Sequence, residues 1–333
     1  MTTPLTMTHV LRVSRLTIRM HRFEVALAVL LIAFLAGSAW IAASHLNAIV
    51  IGPDCRAQRD DGGVTAGCVQ LLSRWSSVHE AEAGQLTGFL MYLPAAIGVI
   101  LGTPIVSREI ELRTIAFAWS LQGVRWRWLL ARLWPMLGIA LVGGVLMGVA
   151  SSELRLSLAG SEYASVYIED MSRQGPVLFS QVVVGVGFGV LAGAVLRRTL
   201  PAFLLAVILA LAWLTVGTPL VGYAIGHWQA SYAVYSDEGQ EALHPLAYLG
   251  DAYREPGGHI IDGNLYQRFC SSSDGGPDAC PEPYPPSGYQ RLTKIVPRSA
   301  WGTVEQGVVL ASLTVAGLAM LLTVPVLTRR RPG

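Results

Sequence analysis

Charge is scarce in this chain. Of its 333 residues only 14% are Asp, Glu, Lys or Arg, while 52% are hydrophobic, and the mean hydropathy is +0.47. That balance excludes a set of soluble domains and describes an integral membrane protein. Lysine is rarer still, since Lys294 stands alone among 24 basic residues. No Gly-x-x-x-x-Gly-Lys-Ser/Thr sequence occurs, so the chain does not bind ATP through a P-loop. The interiors of its long apolar runs also lack Asp, Glu, Lys, Arg and His, apart from Glu305 at the outer edge of the last run. Ion-coupled carriers need ionisable or convergent polar groups at mid-membrane depth. Intramembrane proteases need a buried nucleophile with its base, or paired aspartates. Neither requirement is met. His45, His79, His227, His244 and His259 fall outside the runs in no metal-binding repeat, and Glu80 and Glu82 beside His79 read as a solvated face. The expectation is no catalytic residue, no metal and no cofactor in this chain.

Six runs are long enough to cross a bilayer core, which takes about 20 residues each. They lie near Val25–Ala43, Thr87–Val106, Trp128–Ala150, Pro176–Leu196, Leu200–Tyr223 and Val304–Val326. Pro94 and Pro219 are positioned to kink two of them. Residues 5–22 are basic and partly amphipathic, with Val10, Val13, Thr17 and Met20 on one side. They predict a helix along the inner membrane surface, with His21 as a headgroup contact rather than a metal ligand. Arg12, Arg15, Arg19 and Arg22 precede a first run too long for a cleavable signal.

An even number of spans with the amino terminus inside puts both termini in the cytosol. On that assignment the inner segments hold 14 basic residues against three acidic ones, and the outer segments hold 10 against 19. Such a positive-inside bias fixes the orientation. All four cysteines then lie outside, Cys55 with Cys68 in the first outer loop and Cys270 with Cys280 in the third. Cysteines confined to the oxidising side predict two local disulfides, and their spacings are poor for zinc. The third outer loop, 224–300, is long enough for a small folded cap, opening with a helix-compatible stretch over Asp237–Arg254.

Gly185, Gly189 and Gly193 follow at four-residue steps in the fourth run, between Gln181 and Arg197. Small residues at that spacing let two helix backbones approach closely, and packing inside the chain is the simpler use of this face. Gly144 and Gly148 repeat the spacing once in the third run.

The remaining stretch, Pro104–Leu133, carries Arg108, Arg113, Arg125, Arg127 and Arg132 between the second and third runs. Short arginine-rich loops stay cytosolic. Ser107 is suited to cap a helix start, with Glu109 and Glu111 in the first turn. Ile110, Thr114, Phe117 and Leu121 recur at helical spacing. The pattern Glu109-x-Glu-x-x-Thr114-x-x-x-Ala118-Trp119-Ser120, followed by Arg125-x-x-Trp128-Leu-Leu-Ala-Arg132-Leu133, resembles the cytosolic loop of type-2 ABC transporter permeases of actinobacterial kind. Arg19-x-His21-Arg22, Glu169-Asp170-Met-x-Arg173-Gln174-x-Pro176 and Ala192-Gly193-Ala-x-Leu-Arg197-Arg198-Thr199-x-Pro201 resemble the same family.

The residue pattern predicts an all-α integral membrane protein, a six-transmembrane-helix bundle with cytoplasmic termini and a disulfide-held extracellular cap, and the resemblance implies that its cytosolic loop is a coupling helix. Its parts are an elbow helix over 1–22, spans one to five within 23–223, the coupling loop 107–127, the cap 224–300, span six over 301–328 and a basic tail over 329–333. The implied function is the permease subunit of an ATP-driven exporter in the plasma membrane, moving an amphipathic or hydrophobic substrate such as an antibiotic or antimicrobial peptide. ATP and Mg would be bound by a separate cytosolic ATPase, and a second permease copy or a homologue would complete the assembly. Arg108, Glu109, Glu111 and Thr114 would meet the ATPase cleft, with Phe117 and Trp119 anchoring the helix. The other class the sequence admits is a non-transporting scaffold or sensor with a ligand-binding extracellular cap.

Overall fold

The computed structural model describes residues 15–49, 51, 55, 65–114, 125–159, 172–173, 175–234, 246–262 and 288–329. Six helices among them are long and apolar enough to cross a membrane. A short helical stretch over 15–20 leads to α1 (Arg22–Asn47). Then come α2 (Ala66–Val78), a π-helical turn at His79–Gly84, and α3 (Gln85–Glu111), which together form one continuous rod. α4 (Arg125–Ala159) and α5 (Gly175–Leu196) follow. α6 (Thr199–Ala212) passes through a second π-helical turn, Trp213–Gly217, into α7 (Thr218–Trp228). Strands β1 (Ser231–Val234), β2 (Ala247–Arg254), β3 (Ile260–Asp262) and β4 (Gln290–Val296) precede the last helix, α8 (Trp301–Arg329).

The chain divides into two compact units, one of Met1–Ala164, Met171–Thr218 and Val309–Gly333, the other of Ser165–Asp170 and Pro219–Val308. The first unit is built around α5, the most buried of the six spans. Leu178, Val182, Val186 and Val190 of α5 share a core with Leu90, Ile97 and Leu101 of α3, Met136 and Met147 of α4, and Leu35 and Ala39 of α1. A second cluster joins Ala95 and Val99 of α3 and Ala192 of α5 to Ala202, Ala206 and Ala210 of α6. Alanines at four-residue steps make α6 flat enough to lie close against its neighbours. Leu200, Leu204 and Ile208 on its other face are exposed, as a helix in contact with lipid requires.

The second unit holds a four-stranded antiparallel sheet in the order β1-β4-β2-β3. The sequence reading of Asp237–Arg254 as helix-compatible is corrected here, because Ala247–Arg254 is the long strand β2. Its register against β4 pairs Ala252 with Leu292, both buried, and Ala247 with Val296. A bulge lies between Tyr248 and Gly250, where Gly250 adopts φ +136°, a conformation open to glycine. The helical expectation for the whole chain is therefore met in the spans and broken by this sheet.

Four expected boundaries shift as well. The first outer loop was expected over 44–86, but helix already runs from Ala66. The third span extends to Ala159 and the fifth to Trp228. The second span was expected to end at Val106, but α3 continues to Glu111. Cys55 and Cys68 are joined in a disulfide. Cys270 and Cys280 lie outside the described residues, as do Phe117 and Trp119.

Candidate functional site

The end of α3 is the point where four helices are tied together. Ser107 does not start a helix. It is buried inside α3, and its hydroxyl donates to the Thr103 carbonyl one turn earlier at 2.8 Å. That back-bond to the preceding turn is what a serine inside a helix makes. Glu109 and Glu111 consequently sit in the last turn rather than the first, on the unfavourable side of the helix dipole. Each carboxylate finds compensation in another helix.

Glu109 is buried and forms an ion pair with Arg132 of α4, whose guanidinium lies over the Trp128 ring at 5.4 Å. Glu111 is exposed and accepts from both the amide and the hydroxyl of Thr199, at 3.1 and 2.7 Å. Thr199 is the first residue of α6, so Glu111 caps that helix from outside, satisfying an otherwise orphaned N–H at a positive helix end. Arg108 reaches the other way, pairing with Glu24 of α1 at 3.2 Å. Within the four residues 108–111, α3 thus grips α1, α4 and α6.

The helix ends there in a Schellman motif. The Arg113 amide donates to the Ile110 carbonyl and the Thr114 amide to the Glu109 carbonyl, both at 3.1 Å. The left-handed position belongs to Arg113, at φ +58°, where glycine is usual. α5 closes in a related way, with Arg197 at φ +60° and its amide donating to the Gly193 carbonyl at 3.1 Å. Leu112, Arg113 and Thr114, which close the motif, are exposed.

His21 lies at the junction between the stretch 15–20 and α1, and it is buried rather than facing headgroups as expected from the sequence. Burial holds its imidazole below the ordinary histidine pKa; Glu24 opposes that shift, while Arg132 and Arg108 add to it.

The glycine face of α5 packs on α3. A Cβ on Gly189 would stand 2.7 Å from the Thr103 amide nitrogen, and one on Gly193 would stand 3.0 Å from the Thr103 carbonyl oxygen. A Cβ on Gly185 would meet Val99 N at 2.9 Å. Sequence reasoning missed the matching partners on α3, Gly98 and Gly102, whose own Cβ positions would collide with the backbone at Val182 and Val186. The Gly-x-x-x-Gly spacing was present, but only the fold shows that the two motifs face one another. The ion pairs Glu109–Arg132 and Arg108–Glu24 were missed for the same reason.

Among the described residues, no group of three or more His, Cys, Asp or Glu side chains is arranged to hold a metal ion. What the arrangement offers is mechanical: a charged, multiply anchored helix end leading into residues 115–124.

Comparison with curated proteins and with solved structures returns no match. The family model described as ABC-2 membrane transporter related matches residues 25–222, more than half of the chain. That range takes in most or all of five of the six apolar helices and every residue of the α3 anchor except Glu24. The protein belongs to the ABC-2 membrane transporter related family, as a multi-pass permease subunit of the cell membrane.

Proposed function

We propose that this permease works with a separate cytosolic ATPase, and that the end of α3 passes the ATPase movement to the membrane helices. The observation that carries the reading is the set of grips made by Arg108, Glu109 and Glu111 on three other helices. A push on residues 107–127 would move α1, α4 and α6 together rather than bending one loop. In this reading Glu109 and Glu111 transmit force inside the chain, and contact with the ATPase cleft falls on exposed Leu112, Arg113 and Thr114 with Phe117 and Trp119 beyond. The loop faces the cytosol, in keeping with the arginine bias. The sheet unit and the Cys55–Cys68 bond belong to the outer face. ATP and Mg are held by the partner, a second permease copy or a homologue completes the complex, and transport is outward. An apolar bundle without intramembrane acids or bases suits an amphipathic or hydrophobic substrate.

A mild-detergent purification on a tag after Gly333, with the bound chains identified and ATP hydrolysis assayed, tests this. A stoichiometric P-loop ATPase supports the reading. A folded preparation from the native cells that carries no ATPase overturns it in favour of a scaffold or sensor.

A further inference from the structure

Buried polar atoms without a partner gather around His21. The ring is 2% exposed, and neither Nδ1 nor Nε2 has a hydrogen-bond partner. Glu24 pairs with Arg108 through Oε1 and leaves Oε2 buried and unpartnered. Glu109 pairs with Arg132 through Oε1 and likewise leaves Oε2. Both arginines also converge on the residue beside the histidine: Arg108 donates to the Met20 carbonyl at 3.5 Å, and Arg132 to the Met20 thioether at 3.9 Å. The charged groups acting on His21 are thus Glu24 from α1, Arg108 from α3 and Arg132 from α4, with Glu109 of α3 reached through Arg132; its chain neighbours Arg19 and Arg22 are exposed.

We propose that His21 is a proton-responsive positioning residue, holding α1, α3 and α4 together while neutral and loosening the Arg108–Glu24 and Glu109–Arg132 grips when protonated. Each ion pair is balanced within itself, so the cluster is neutral with a neutral imidazole. Adding a proton places a third cation among two carboxylates, on a ring that is itself buried. A buried charge without a counter-charge is costly, and among the described residues the free carboxylate oxygens of Glu24 and Glu109 are acceptors it could draw on. Taking either one draws a carboxylate away from its arginine. The sign of the effect follows. His21 titrates lower in the closed joint than in the open one, so the open joint binds more protons and gains as pH falls below about 6.5. Between pH 7.5 and 5.5 the opening equilibrium should rise, by at most about tenfold for a histidine of ordinary pKa in the open joint. The position of His21, where the stretch 15–20 turns into α1, makes it the root of the first span rather than a distant sensor.

Hydrogen exchange of the full-length protein in lipid nanodiscs reads this directly, with rates corrected for the intrinsic pH dependence of amides. Between pH 7.5 and 5.5, amides at 22–28 and 105–112 should lose protection several-fold, up to a limit of about tenfold, while those in mid-α5 stay unchanged. In His21→Phe, which keeps a buried ring without a titratable nitrogen, the corrected protection should be flat across that range. His21→Gln provides the same comparison should the phenylalanine variant fail to fold. Flat protection in the wild type, or an equal loss in the variants, overturns the proposal. Because the readout is protection at the joint, failure here leaves the ATPase reading untouched.

Discussion

The carboxylate of Glu111, at the last turn of α3, is the cap of Thr199 at the first turn of α6. One oxygen accepts from the Thr199 amide at 3.1 Å and from its hydroxyl at 2.7 Å. Ser107 on the same helix lies with its hydroxyl 3.4 Å from that of Thr199. A helix end that repels a carboxylate and a helix start that attracts one are thereby joined through a single side chain. The consequence is that α6 cannot shift along its axis without moving the end of α3.

Thr199→Val and Glu111→Gln should each lower the thermal unfolding temperature of the detergent-solubilised protein. The double variant should fall little further than the worse single one, because both changes remove the same contact. Additive losses would mean that the two residues stabilise the chain independently.

Arg113 occupies a left-handed position at φ +58° that costs an L side chain about 1–2 kcal/mol. Arg113→Gly removes that strain, less the extra freedom glycine has in the unfolded chain. A gain of about 1 kcal/mol is expected from thermal or denaturant unfolding. A loss would show that the arginine side chain contributes more to the fold than its backbone costs.

Glycines that look alike in the sequence should differ sharply. Gly189→Ala puts a Cβ 2.7 Å from the Thr103 amide and should destabilise by about 1–3 kcal/mol through overpacking. Gly138→Ala, in α4 with nothing within 4 Å, should be neutral or stabilising by about 1 kcal/mol from helix propensity alone. Equal effects on unfolding would remove the close α3–α5 approach from the explanation of the Gly185–Gly193 stripe.

The six spans were legible because each needs only its own apolar run to be recognised. Features that depend on a partner were not. Ser107 resembled a cap because it precedes two acids, yet buried contacts on α5 and α6 hold the helix through it to Glu111. β2 carries residues compatible with helix, and its strand form is settled by pairing with β4, some forty residues later. Glu24 and Arg108 lie more than eighty residues apart, and no local pattern connects them. The glycine stripe on α5 was visible, while its counterpart Gly98–Gly102 gained meaning only once α3 was laid against it.

The buried pair Glu109–Arg132 gives the sharpest separation between a charge that stabilises and one that transmits. Removing one partner leaves the other buried and uncompensated, so Glu109→Gln should cost about 3 kcal/mol. Replacing both, as Glu109→Leu with Arg132→Met, removes the desolvation cost of each charge along with their attraction. Stability should then return to near the wild-type level. If the end of α3 carries force between an ATPase and the membrane helices, this doubly apolar variant should fold and bind its partner yet lose the coupling of hydrolysis to transport. Full coupling in a stable double variant would leave the pair as packing alone, and would place transmission on Arg108 and Glu111 instead.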